Sequence, residues 1–508
     1  MILTFIIYIF ASSVKQSVNM LKKIRVTLAA LFLIGITAMF LDFTGVAHAW
    51  LSWMAKLQFL PAVMGLNLAV ILLVLALTIL FGRIYCSVIC PAGVFQDVVA
   101  RIAGKFNKNR YTSSKENKLL RFTVLGVFVL LILLGFTAIA AVIAPYSAYG
   151  RIAQNLFQPV YQWINNLLAL AAEHYDSYSV YTVDVWIKGG TLFAIAVVTL
   201  LVFTVLAWKN GRTWCNNVCP VGTVLGYVAK FSIFKIQIDK SKCVDCRLCE
   251  RNCKSACIDS KAGTIDHTRC VSCMNCIGKC NKGAISFGRA AKVSEPADGN
   301  PDKSLRAMLT TGAVLALTSA AKAQEKTVDG GYAVIEDKKI PERECPVKPA
   351  GSISLKNFQS HCTACQLCVA ACPNGILRPS GKLENFMQPE MSFERGFCRP
   401  ECTRCSEVCP SGAIHKITRE EKTAIRAGHA VWVKKNCLPA KDGTSCGSCA
   451  RHCPSGAITM VPMEEGSSVM IPALNAERCI GCGACEYYCP SRPLPAIYVE
   501  GNDEHGEM

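Results

Sequence analysis

Eight cysteines fall into two matching runs, Cys243-x2-Cys246-x2-Cys249-x3-Cys253 and Cys270-x2-Cys273-x2-Cys276-x3-Cys280, which begin 27 positions apart. Thiolates at this spacing hold two [4Fe-4S] clusters, three from one run on each cluster and the fourth crossing to the other. The expected ligand sets are Cys243, Cys246, Cys249 and Cys280, and Cys270, Cys273, Cys276 and Cys253. Zinc sites usually pair such units across a longer gap, and thiols this crowded do not form independent disulfides. Lys254 and Asn281 stand where the bacterial pattern has proline, and Cys257 competes with Cys253 as the crossing ligand.

Sixteen further cysteines form four groups near the C-terminus. They are Cys362, Cys365, Cys368 and Cys372; Cys398, Cys402, Cys405 and Cys409; Cys437, Cys446, Cys449 and Cys453; and Cys479, Cys482, Cys485 and Cys489. All end in Cys-Pro, and most run on into Gly-Ala-Ile or a near variant, so the unit is repeated and implies four more [4Fe-4S] clusters. The spacing leaves open which groups exchange their fourth cysteine. Six clusters use 24 of the 30 cysteines. Cys345, before Pro346, reads as an unpaired linker residue.

Four of the remaining thiols belong to another repeat. Gly82-Arg83-x2-Cys86-x3-Cys90-Pro91-x-Gly93 recurs as Gly211-Arg212-x2-Cys215-x3-Cys219-Pro220-x-Gly222. Two copies of one hairpin suggest a pseudo-two-fold unit. If each Cys-x3-Cys is helical, its thiols share a face, and symmetry brings all four together. They then hold a further Fe-S centre or form redox-active disulfides; the alternative makes them small buried apolar side chains.

These motifs need a scaffold. The chain has 508 residues, a formal charge of +18 and 52% hydrophobic residues, too long for one core and pointing to several domains. Apolar stretches at Val26–Leu41, Leu60–Phe81, Phe122–Ala144 and Gly190–Trp208 are each about long enough to cross a bilayer. Between the second and third lie seven Lys and Arg residues from Arg83 to Lys118, whereas 42–61 carries only Lys56 and 146–188 only Arg151 and Lys188. The positive-inside rule places the 83–118 loop and the segment after Trp208 in the cytoplasm. The outer loop 146–188 is aromatic and amphipathic; it borders a quinol site using His174, Tyr149 or Arg151, or is an interfacial belt.

The fold expected is an α-helical membrane domain of four spans, with a fifth candidate, joined to α+β ferredoxin-like domains. Its boundaries are an N-terminal extension at 1–19, membrane domain at 20–235, first cluster domain at 236–290, linker at 291–345 and four-cluster domain at 346–508. Within the linker, 305–323 reads as an export signal or fifth span, with Ala321-Lys322-Ala323 resembling a signal-peptidase site, or else as an interdomain helix. A single Arg306 stands where a twin-arginine leader has a pair. No nucleic-acid module accompanies the positive charge. Signals for c-type haem, nucleotide and flavin are absent too.

Residues from about 20 to 290, with two Cys-x3-Cys-Pro motifs at helix ends and a two-cluster run, resemble NapH, the quinol-dehydrogenase membrane component of periplasmic nitrate reductase systems. Residues from about 303 to 500, with the leader-like segment and the long gap from Cys437 to Cys446, resemble its partner NapG and the MauM-type methylamine-utilisation ferredoxins. The resemblance implies a multi-pass protein of the bacterial inner membrane that takes electrons from the quinone pool. It passes them to a periplasmic reductase or cytochrome. The membrane half also resembles NosR, without that family's flavin-binding domain. A second reading is therefore a redox sensor or an accessory protein that matures a metalloenzyme.

Overall fold

The computed structural model describes residues 14–106, 111–289 and 337–507; most of the N-terminal extension and the whole of segment 305–323 lie outside them. The helical half opens with α1 (Val14–Leu41), α2 (Val46–Lys56), α3 (Phe59–Met64), α4 (Leu68–Phe81), α5 (Ile84–Val88) and α6 (Pro91–Phe106). It continues with α7 (Lys118–Leu133), α8 (Thr137–Ala140), α9 (Pro145–Ile152), a π-helical turn at Ala153–Phe157, and α10 (Gln158–His174). It closes with α11 (Gly190–Asn210), α12 (Thr213–Asn217) and α13 (Pro220–Ala229).

Two of these are long and apolar enough to cross a bilayer, the Met20–Leu41 part of α1 and the whole of α11. The stretches at Leu60–Phe81 and Phe122–Ala144 are each broken in two. Gly65 ends α3, Leu66 turns to φ 50° and Asn67 caps α4 by accepting from the Val70 amide, while Gly135 at φ 83° separates α7 from α8. The 14 residues of α4 and 16 of α7 cover roughly 21–24 Å at 1.5 Å per residue, short of a hydrocarbon core of about 30 Å. Leu31, Ile34, Leu72, Leu130, Leu133 and Leu201 leave their apolar side chains exposed on α1, α4, α7 and α11. Such a belt requires an apolar covering.

The cysteine-rich parts are small and built on two-stranded antiparallel sheets. In the first, β1 (Phe234–Ile238) pairs with β4 (Ile285–Arg289), and β2 (Ile258–Asp259) with β3 (Thr264–Ile265). In the second, β5 (Leu377–Pro379) pairs with β6 (Pro389–Met391) and β8 (Ile458–Pro462) with β9 (Met470–Leu474). There β10 (Ile497–Glu507) also returns to β7 (Ile425–Trp432). Two-stranded ribbons are marginal alone; here cysteine side chains fill the centre of each.

The two modules dock at opposite ends of the helices. At one end Ser272 Oγ donates to the Phe81 carbonyl at 2.8 Å, Arg121 Nη1 to Thr268 Oγ1 at 3.1 Å, and the Arg212 amide to the Lys254 carbonyl at 2.8 Å. Those contacts meet the end of α4, the start of α7 and the end of α11. At the other end Gly65 packs on the Ser411 carbonyl, Gly150 lies against Phe40 and the Cys365 carbonyl, and Thr137 Oγ1 donates to the Gln359 carbonyl. Just before α11, the Trp186 ring receives the guanidinium groups of Arg378 and Arg395 at 4.3 and 5.0 Å.

Candidate functional site

Pro91 and Pro220 set the local geometry of the hairpin repeat. A residue before proline is driven out of the helical region, so α5 and α12 stop short and Cys219 caps α13 in extended backbone at φ −69°, ψ 118°. The Cys90 and Cys219 amides reach back to the Tyr85 and Trp214 carbonyls, each at 3.0 Å. Each motif is thus a short helix, a break and a second helix, not one helix with both thiols on a face.

The two copies then interlock. Arg83 Nη2 donates to the Cys215 carbonyl at 3.1 Å, while Arg212 Nη1 donates to the Cys86 carbonyl at 2.7 Å. A Cβ on Gly93 would run into the Cys86 carbonyl and Arg212; one on Gly222 would run into the Cys215 carbonyl and Arg83. The helix after each motif packs on the helix before the other, α6 on α11 and α13 on α4. Cys86, Cys90, Cys215 and Cys219 are thereby buried side by side. Donors point at the sulfurs: Gln96 Nε2 lies 3.3 Å from Cys215 Sγ, and the Gly222 amide 3.3 Å from Cys219 Sγ.

Asp97 on α6 ties this site to the first cysteine module. Arg212 Nε meets its Oδ1 at 2.6 Å, and Lys254 and Arg25 meet its Oδ2. Burial alone would raise the Asp97 pKa, but Arg212, Lys254 and Arg25 hold the carboxyl well below the usual carboxylate range. Lys254 is the residue that replaces proline after Cys253, and its ammonium explains the departure: it reaches into the helical half. Nearby, Cys253, Cys257, Cys270, Cys273 and Cys276 line one pocket. Cys253 and Cys257 stand with sulfurs 3.6 Å apart. Cys243 and Cys246 neighbour Cys249, and Cys280 packs on the same small core as Cys249.

The C-terminal thiols sort into four sets. Cys372 joins Cys398, Cys402 and Cys405 around one pocket, and Cys489 joins Cys437, Cys446 and Cys449 around another. Conversely, Cys409 stands with Cys362, Cys365 and Cys368, and Cys453 with Cys479, Cys482 and Cys485. The fourth cysteine therefore crosses between the first and second groups and between the third and fourth. The sets lie in sequence. The Cys362 set faces Tyr146 of α9. It shares two groups with the Cys398 set, and the Cys398 amide donates to the Cys482 carbonyl at 2.8 Å, which joins the second set to the Cys479 set. The Cys437 set comes last.

The donor set fits an iron–sulfur cluster. The Tyr146 hydroxyl, Thr363 Oγ1 and Gln366 Nε2 beside the Cys362 set, and Trp432 Nε1 on the Cys437 cavity, are buried donors without a partner. Cluster sulfurs are acceptors of that kind.

Of the outer-loop residues, His174 is exposed at the end of α10, Tyr149 is buried against Thr37 and Phe95, and Arg151 caps the Ala141 and Val142 carbonyls at 2.8 and 2.7 Å. These do not converge on one site. The loop instead forms the dock for the C-terminal module, with Ser147 Oγ on the Thr363 carbonyl at 2.6 Å and Asn155 Nδ2 on Gln366 Oε1 at 3.0 Å. Cys345 stands outside every set, with Asp503 3.4 Å away.

The family model described as a 4Fe-4S binding domain matches residues 63–109 and 190–239, the two hairpin repeats. That described as a 4Fe-4S dicluster domain matches 361–413 and 444–492, the pairs of groups that exchange a cysteine. An uncharacterized protein of Methanocaldococcus jannaschii is 27% identical over 56% of this chain and 92% of its own length. The ferredoxin-type protein NapH of Haemophilus influenzae is 26% identical over 36% of this chain and 52% of its own. The methylamine utilization ferredoxin-type protein MauM of Methylobacillus flagellatus is 34% identical over 23% and 50%. The chain thus spans about half the length of these last two relatives. No solved structure matches. In its 4Fe-4S binding and dicluster domains the chain is similar to NapH and to the MauM-type ferredoxin-type proteins.

Proposed function

We propose that the chain is a membrane relay that takes electrons from quinol and delivers them, through six [4Fe-4S] clusters and a further Fe-S centre at Cys86, Cys90, Cys215 and Cys219, to a periplasmic reductase or cytochrome. The observation that carries this reading is the docking of one thiol-rich module at each end of the helical half, with the buried four-thiol site in that half. The reading divides the chain at about 235, 290 and 346. The basic 83–118 loop supports a cytoplasmic first module, and docking at the opposite end of the helices supports an outer C-terminal module.

Iron–sulfur clusters supply one-electron changes with little rearrangement. The chain supplies the rest. Arg83 and Arg212 bring two positive charges to the four-thiol site, offsetting the charge of its thiolates. Amide donors at Cys219, Cys280, Cys453 and Cys489 hold the sulfurs in place. Burial keeps water from the C-terminal thiols that face the helices. Docking through Ser147, Gly150 and Asn155 fixes the gap between the helical half and the first C-terminal set, and covalent linkage holds the modules at high effective concentration.

The test is anaerobic reduction of the protein in lipid nanodiscs by a menaquinol analogue, followed by visible bleaching and electron paramagnetic resonance. Rapid reduction of several clusters is expected. If dithionite alone reduces them, quinol is not the donor, and a sensing or accessory role replaces the relay.

A further inference from the structure

Lys422 is the one buried cation that hydrogen-bonds a ligand sulfur in the C-terminal module, among the described residues. It lies on a six-residue helix, Arg419–Ala424, whose start is fixed by a capping box between Thr418 and Glu421. Its side chain is 6% exposed and its Nζ donates to Cys398 Sγ at 3.1 Å. Cys398, Cys402 and Cys405 surround it and would carry negative charge as cluster ligands. It lines two cavities, that of the Cys372, Cys398, Cys402, Cys405 set and the adjoining one reaching from Cys398 to Cys482. Lys422 therefore stands at the junction of the second and third centres in the line.

The other sets are placed differently. Beside the Cys479 set the buried neighbour is the carboxylate of Glu486, matched by Arg343 at 2.7 Å. Beside the Cys362 set, Lys348 Nζ is occupied by the Pro389 carbonyl at 3.2 Å and the Phe358 ring. Trp432 Nε1 at the Cys437 cavity is a neutral donor.

Reduction adds one negative charge to a centre. A fixed cation in hydrogen-bond contact, inside a medium of low dielectric, favours the reduced form more than the oxidised one. We propose that Lys422 tunes the Cys372, Cys398, Cys402, Cys405 centre to be the most easily reduced of the four C-terminal centres, the resting place of a first electron while a second follows. The storage role rests on the relay reading: oxidation of one quinol to quinone releases two electrons, with two protons leaving to water, and the Cys362 centre must empty before it can accept again. The potential itself rests only on the cluster assignment.

The test is a potentiometric titration of the full-length protein in nanodiscs, read by electron paramagnetic resonance. Lys422→Met should lower the midpoint of one centre by a factor of ten or more in its reduction equilibrium, 59 mV for one electron, with iron content unchanged. Lys422→Arg should retain most of the wild-type value. In the wild type, the signal altered by Cys402→Ser should be the one that titrates highest among the C-terminal centres, a ranking that decides the matter even if Lys422→Met fails to assemble. Unchanged midpoints in Lys422→Met with all iron present, or a Cys402-dependent signal that is not the highest, overturn the proposal. A wild-type protein with no iron at the C-terminal cysteines removes the cluster assignment as well, which separates that failure from the others.

Discussion

Asp97 gathers cations from three distant parts of the chain, Arg25, Arg212 and Lys254, at a site it shares with almost no solvent. Removing one partner of a buried charged network leaves the rest unpaired, at a cost of roughly 3–5 kcal/mol. Asp97→Ala should therefore lower the thermal midpoint in detergent and free the first cysteine module from the helices before global unfolding; a midpoint equal to wild type would contradict this role. The thiols were legible from sequence because the ligand pattern is local, with neighbours two or three positions apart. Asp97 was not, because its partner Arg212 lies 115 positions away and no local pattern marks the pair. Lys254 showed only as a missing proline, and Lys422 left no trace, since a lysine on a short polar helix reads as solvent-facing.

The hairpin repeat could be read in outline, and its flanks proved as informative as its cysteines. Gly-Arg and Pro-x-Gly recur because each arginine crosses to the other copy and each glycine makes room for that crossing. Gly93→Ala forces a methyl group onto the Cys86 carbonyl, so the expected result is loss of iron from the four-thiol site with the C-terminal centres still present, measured as iron and sulfide per chain. Full iron content at that site would show that the backbone yields. The helices themselves were less legible. Hydropathy is continuous through 60–81 and 122–144 and does not register a left-handed turn at Leu66 or a glycine break at Gly135. The same blindness hid the end of each motif helix, which a proline sets and which apolar periodicity does not report.

The docked modules make the helical half a spacer of fixed length between two sets of centres. Loop charge bears on the face of the first module and segment 305–323 on that of the second; which loops receive the second was not visible, because the contacts of Trp186, Ser147 and Asn155 join positions some 200 apart. Gly150 is a point of close approach in the dock of the C-terminal module. Gly150→Val should push the C-terminal module away, slowing reduction of its centres by quinol about tenfold or more while the number reducible by dithionite stays the same. Equal rates would mean that the dock is not on the electron path. The crossed arginines carry one more lesson. Because each copy completes the other through matching contacts, the hairpin is complementary to itself, as the two halves of a two-fold dimer interface are. Two identical hairpins from separate chains could close the same site, so the internal repeat has the form of a homodimer fused into one polypeptide, after which Asp97 and Lys254 could arise on one side alone and break the symmetry.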